Sequence, residues 1–228
     1  MMRYRYGVAL VAMVALASAC QQQAGSVSLE SDDAKASYAI GQDVGRNLAP
    51  TVDRLDRAAF MKGVEDMLDG AEAAVPAEEL QAAMQAFSEA LMADRAAVGD
   101  DNRAAGEAFL AENGAKDGVV TTDSGLQYEV LREGDGPMPT AEDQVRIHYR
   151  GTLIDGTEFD TSYGREPAVF QVGGVIAGFT EALLLMPVGS QYRIAIPGDL
   201  AYGANGAGAL IGPNATLVFE LELLEIVE

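Results

Sequence analysis

Val145-Arg-Ile-His-Tyr-Arg-Gly-Thr-Leu153, continued by Ile154-Asp-Gly-Thr-Glu-Phe-Asp160, is the stretch whose reading decides the fold. Val145, Ile147 and Tyr149 alternate with Arg146, His148 and Arg150, the period of two expected of a half-buried strand. Asp155-Gly156 follows as a hairpin signal, read as a type I′ turn that returns the chain through Thr157, Glu158 and Phe159. Working outward, Gly125 to Leu131 alternates in the same way, and Gln191–Ile196 and Thr216–Val227 read as further strands. The last is nearly continuous in apolar residues and is therefore placed centrally. Phe179 to Met186 reads as a short helix stopped by Pro187 and Gly189. Many strands and one short helix describe an α+β domain, an antiparallel sheet curled around that helix.

Upstream, Asn113-Gly-Ala-Lys-Asp-Gly118 is a turn-rich boundary, and before it the periodicity is helical. The stretch from Ala34 to Asn113 is rich in Ala, Leu, Glu, Met and Arg, which favour helix. Ser31 or Asp32 can cap a first helix carrying Tyr38, Ile40, Val44 and Leu48, ending before Pro50. Asp56 caps a second that stops at Gly70. Pro76 opens a long third helix, whose Leu80, Met84, Phe87 and Leu91 form a heptad-like seam that fails at Asp94 and Asp101. The expectation is that the seam packs as far as Leu91 and the helix is solvated beyond it. An amphipathic face in a small bundle and a dimer contact both fit such a seam. Because so few helices make a marginal core, self-association as a homodimer is expected.

The first residues read as an address. Arg3 and Arg5 precede the apolar run Gly7–Leu16, then Ala17-Ser-Ala-Cys20, the pattern of an export signal. The run is short for a permanent membrane helix. Cys20 is the single cysteine, and its place after small residues is similar to a lipoprotein cleavage site, although Ala17 stands where such sites prefer Leu. Ordinary cleavage before Cys20 satisfies the same residues; lipidation of Cys20 is favoured, because the alternative leaves a free terminal thiol in an oxidising compartment. The segments expected are thus a leader over 1–19, a tether over 20–33, a helical domain over 34–118 and a sheet domain over 119–228. The protein is expected in the periplasm or at the outer membrane, held through a lipid anchor only.

Composition narrows the chemistry. A formal net charge of −20, with acids in excess in both halves of the chain, argues against nucleic acid as a partner. One cysteine and one histidine, His148, leave no multi-ligand Cys or His metal site. The glycines at 203, 206, 208 and 212 lack G-x-G-x-x-G spacing, so they are read as a flexible loop instead of a phosphate cradle. No cofactor or metal is expected.

Six motifs occur in the order seen in the FK506-binding proteins: the Val145–Leu153 and Asp155–Asp160 segments, Val175-Ile-x-Gly-Phe179, Met186-Pro-Val-Gly189, Ala201-Tyr-Gly203 and Ala215-Thr-Leu-Val-Phe219. The domain resembles that family over about a hundred residues. Tyr38-Ala-Ile-Gly41 and Glu107-Ala-Phe-Leu110 resemble its macrophage infectivity potentiator-like lipoproteins. The resemblance implies a peptidyl-prolyl cis-trans isomerase acting on proline-containing client polypeptides, with macrolides such as FK506 as inhibitors. It implies a pocket walled by Tyr149, Phe159 and Phe219, floored by Phe179, with Asp160 at its edge and Val175, Ile176 and Ile211 contacting substrate. The Ile176 N–H and the Tyr202 hydroxyl would hold substrate carbonyls. Two departures stand out: Phe179 occupies the place of the usual Trp, and Gly206-Ala-Gly208 replaces bulkier groups in the loop after Tyr202, which is read as lying over the pocket. Arg165 lies in a segment about one residue short of some relatives. Taken singly, such aromatics are more often core than site, and His148, one residue from Tyr149, points to the opposite face. A second reading of the chain is a holdase-type chaperone or interaction module with a weak or silent pocket.

Overall fold

The computed structural model describes residues 27–227. The leader over 1–19 and Cys20 lie outside the described residues. The chain divides into two compact units at the junction of Val52 and Asp53. The first holds helix α1 (Asp32–Leu48), capped by Ser31, whose Oγ accepts from the Ala34 N–H at 3.2 Å. Asp32 and Asp33 sit in its first turn, where the helix dipole favours negative charge.

The second unit begins with α2 (Arg57–Asp69). The Asp56 carboxylate accepts from the Ala58 and Ala59 N–H groups, and Gly70 ends the helix in the left-handed region at φ 67°. Helix α3 runs from Ala77 to Gly114, 38 residues, with Pro76 at its N-cap. The seam is only partly covered within the chain, with Phe87 and Leu91 half-buried. Leu80 and Met84 are exposed, and the residues of α3 that are buried are Gly99 and Gly106. A stripe of large side chains needs a facing helix to cover it, whereas the far half of α3 meets the sheet domain through small residues.

That domain contains β1 (Val119–Thr121), β2 (Gln127–Arg132), β3 (Gln144–Leu153), β4 (Glu158–Thr161), β5 (Ala168–Gln171), α4 (Ala177–Leu184), β6 (Gln191–Ile196) and β7 (Leu217–Val227). The strands pair antiparallel in the order β1-β2-β6-β7-β3-β4, with β5 also on β3. β7 is central, as its apolar content predicts, flanked by β6 and β3 over most of its length. Only one face of it is dry. Leu217, Phe219, Leu221 and Leu223 are buried, while Glu220 and Glu222 on the other face pair with Arg193 and Arg132 at 2.9 and 2.7 Å. Helix α4 lies on the dry side and contributes Phe179, Ala182 and Leu183 to a core shared with Val145, Ile147, Ile194 and Leu221. Each fully buried aliphatic side chain there contributes about 1.5–3 kcal/mol.

The β3–β4 hairpin differs in detail from the type I′ expectation. Gly156 has φ 88° but Asp155 does not have positive φ, and type I′ needs both. The Gly156 N–H donates to the Leu153 carbonyl at 3.0 Å and the Leu153 N–H to Thr157 at 2.9 Å, a type I turn closed by a glycine bulge. The Asp155 carboxylate accepts from the Thr157 N–H at 2.9 Å, which holds this alternative.

Candidate active site

The inward phase of β3 carries Ile147, Tyr149 and Gly151 toward α4. Gly151 is there because nothing larger fits. A Cβ at that position would stand 2.6 Å from the Phe159 ring and 2.7 Å from the Phe219 ring. Its absence lets those rings meet edge to face at 5.5 Å. Phe179, in the first turn of α4, sits edge-on to Phe219 at 5.2 Å, Phe170 at 6.3 Å and Tyr149 at 6.5 Å. The rings enclose a cavity of about 740 Å³, within the roughly 300–1,000 Å³ usual for ligand sites.

All the pocket residues expected from sequence line this cavity. Tyr149 comes from β3, Phe159 and Asp160 from β4, Val175 and Ile176 from the approach to α4, Phe179 from its first turn, and Phe219 from β7. Tyr202 and Ile211 come from the segment between β6 and β7. Sequence reasoning missed Phe170 and the supporting Gly151. Phe170 falls in a strand of only four residues, and its one signal was an aromatic in the phase opposite to Val169. The glycine loop lies at the pocket, as expected, and walls it through Ala207 to Leu210. This loop, read as flexible, is closed by paired backbone bonds between Ala207 and Ile211 at 2.8 and 3.1 Å. Gly206 at φ 58° is required there, since a Cβ would fall 2.3 Å from the Ile211 carbonyl oxygen.

Few polar groups reach the cavity. The Tyr149 hydroxyl donates to Asp160 Oδ2 at 2.5 Å. Burial, then this bond to the carboxylate, pushes the Tyr149 phenol up to about 12, so it remains a donor. Asp160 Oδ1 accepts from the Thr161 N–H at 2.9 Å and from Arg165 at 3.3 Å. Arg165 also bonds the Thr161 carbonyl, so it braces the hairpin from outside the cavity lining. Neither the Ile176 N–H nor the half-exposed Tyr202 hydroxyl has a hydrogen-bond partner among the described residues. Both therefore remain available to an incoming carbonyl. His148 lies on the opposite face, stacked on Tyr163 at 5.1 Å with Nδ1 3.0 Å from Ser162 Oγ. No group of three or more His, Cys, Asp or Glu side chains that could hold a metal occurs among the described residues.

Comparison with known proteins agrees with this geometry. Residues 136–224 match the family model described as FKBP-type peptidyl-prolyl cis-trans isomerase, and residues 33–130 match the domain amino-terminal to it. The chain is 48% identical to the FKBP-type 22 kDa peptidyl-prolyl cis-trans isomerase of Escherichia coli, over 85% of this chain and 95% of that one. It is 42% identical to the outer membrane protein MIP of Legionella longbeachae, over 88% of each. Among solved structures, FkpA from Escherichia coli superposes with a TM-score of 0.62 at 36% identity, covering 86% of this chain and 97% of that one.

Proposed function

The chain belongs to the FKBP-type peptidyl-prolyl cis-trans isomerases, and from that premise we propose how its pocket performs the reaction and where the protein works. A prolyl amide must rotate through a barrier of about 18–20 kcal/mol, and unaided it takes tens to hundreds of seconds. The planar amide is stabilised by charge-separated resonance, which the twisted form loses. An aromatic cavity solvates the planar form poorly and the twisted form well, so it binds the transition state in preference. The proline ring rests on Phe179, between Tyr149, Phe159 and Phe219. The Ile176 N–H and the Tyr202 hydroxyl hold the flanking carbonyls, and Asp160 fixes the Tyr149 ring through its hydroxyl. Each 1.4 kcal/mol removed from the barrier gives about tenfold in rate. The single observation that carries this reading is the convergence of all these side chains on one cavity with two unpartnered donors at its wall.

The test is catalysis of exchange in a short Xaa-Pro peptide by wild type and by Phe179→Ala, Tyr202→Phe and Asp160→Ala. Loss of most activity in Phe179→Ala with the fold intact supports the assignment. Full activity in Phe179→Ala and Tyr202→Phe contradicts it.

The finer setting follows from sequence and surface. The leader, Cys20 and the relative named an outer membrane protein support a lipid-anchored protein of the cell envelope. Phe60, Val64, Met67 and Leu68 on α2 line an apolar groove, with Met67 and Leu68 exposed by about four-fifths. Such a surface favours a second copy as its occupant. Light scattering on residues 21–228 against 119–228 tests this; equal monomeric masses would refute the dimer. The same groove is where a chaperone function of the helical segment would reside. FK506 is the inhibitor to try first.

A further inference from the structure

Helix α3 meets the sheet domain along Arg95, Gly99, Asn102, Gly106, Leu110 and Asn113, spaced four, three, four, four and three residues apart and therefore on one face. What the first part of this face meets is the back of the loop whose front walls the cavity. The Asn102 Nδ2 donates to the Pro213 carbonyl at 2.8 Å, the Asn214 Nδ2 to the Gly99 carbonyl at 3.3 Å, and Arg95 to the Asn205 carbonyl. The approach is close, with glycines on both sides of the contact. A Cβ on Gly99 would lie 3.0 Å from Asn214 Nδ2, one on Gly106 2.3 Å from Thr216 Oγ1, and one on Gly212 2.8 Å from Asn102 Nδ2. Asn214 is the one non-glycine residue at positive φ among the described residues, at 54°, and its N–H closes the loop onto the Gly203 carbonyl at 2.8 Å. That conformation aims its side chain at α3. Farther along, Gln127 Nε2 donates to the Leu110 carbonyl at 2.8 Å and Asn113 to Gln127 Oε1 at 2.9 Å, which anchors the end of the helix to β2.

We infer that α3 is a strut for the isomerase pocket: Asn102 and Asn214 are positioning residues that hold the loop from Gly203 to Asn214, and with it Tyr202 and Ile211, at the distance the substrate needs. None of the α3 residues touches the cavity. They act through the loop, so the helix that precedes the sheet domain in sequence tunes its catalysis. The inference rests on the isomerase reading of the pocket.

The test compares the full chain with Asn102→Asp, Asn214→Gly and Gly106→Ala, and with the compensated pair Gly106→Ala/Thr216→Ala. Asn102→Asp is nearly isosteric but sets a carboxylate against the Pro213 carbonyl. Asn214→Gly keeps the backbone conformation and removes the tie, so it decides the matter should Asn102→Asp fail to fold. Two readouts are taken together, kcat/KM on a short Xaa-Pro peptide and amide hydrogen exchange of residues 203–214. The expected result is faster loop exchange with kcat/KM about tenfold lower, since a displacement of about 1 Å can cost up to a hundredfold. Both are restored toward wild type when Thr216→Ala makes room for the methyl of Gly106→Ala. Alanine is the better helix former, so a defect in Gly106→Ala that its partner substitution relieves is a defect of docking. Faster loop exchange with unchanged kcat/KM, lower kcat/KM with unchanged loop exchange, or no change in either overturns the strut. An inactive wild type would overturn the isomerase reading instead, and the two failures are distinct.

Discussion

Gly151→Ala adds one methyl group to the interior of β3, and the structure sets its consequence. The new carbon would stand 2.6 Å from two atoms of the Phe159 ring and 2.7 Å from Phe219. Ordinary carbon contacts are about 3.5–4.0 Å, so close to 1 Å of displacement is needed. Phe219, on the central strand β7, packs edge-on against Phe179 and is 5% exposed, whereas Phe159 is only half-buried. Phe159 therefore yields, moving into the cavity and opening its edge contact with Phe219. Overpacking of this kind costs about 1–3 kcal/mol, and the lost aromatic pair about 0.5–1.5 kcal/mol. Stiffening the unfolded chain returns about 0.4–1 kcal/mol. The net expectation is about 2 kcal/mol of destabilisation, which at a urea dependence of about 1–3 kcal/mol per molar lowers the midpoint by about 1 M. Because the displaced ring enters the substrate's space, kcat/KM should fall by about tenfold, more than partial unfolding explains. Circular dichroism in urea and the peptide exchange assay on the same preparation measure both effects. A variant as stable and as active as wild type would refute the packing argument.

Other substitutions and conditions probe separate parts of the account. Asp160→Asn keeps the shape but weakens the Tyr149 bond, and the Tyr149 phenol, now near 12, should titrate lower, as spectrophotometric titration against wild type would reveal. In the wild type, Tyr149 binds its proton more tightly folded than unfolded. Its contribution to stability is therefore complete below the ordinary tyrosine value near 10 and is lost as pH rises from there to about 12; alkaline denaturation of Tyr149→Phe should show a shallower fall in that window. Phe179→Trp enlarges the floor toward the residue usual in the family, and calorimetry should find tighter FK506 binding than in wild type.

Legibility in the sequence followed chemistry that repeats locally. β3 and β7 were readable because inward residues recur every second position, and the caps at Ser31 and Asp56 because a short acceptor precedes a helical run. The pocket side chains were recoverable only through six ordered motifs, since aromatics such as Phe219 look like core one at a time. Three features were not readable. The docking face of α3 is built from Gly99, Asn102 and Gly106, which carry no hydrophobic signal, whereas the conspicuous Leu80–Leu91 stripe stays largely uncovered within the chain. The β3–β4 turn was misread because Asp-Gly serves both type I′ turns and glycine-bulge turns, and the choice rests on the sign of φ at Asp155. Phe170 escaped because a strand of four residues shows too little alternation to assign a face.

The central claim is that an apolar aromatic cavity lowers the rotation barrier with no proton in flight. Its most direct test is kcat/KM on a short Xaa-Pro peptide across about pH 5 to 9, in water and in heavy water. The account predicts a flat profile and no solvent isotope effect. A bell-shaped profile together with slower turnover in heavy water would contradict it, and would assign proton transfer to a group within the pocket.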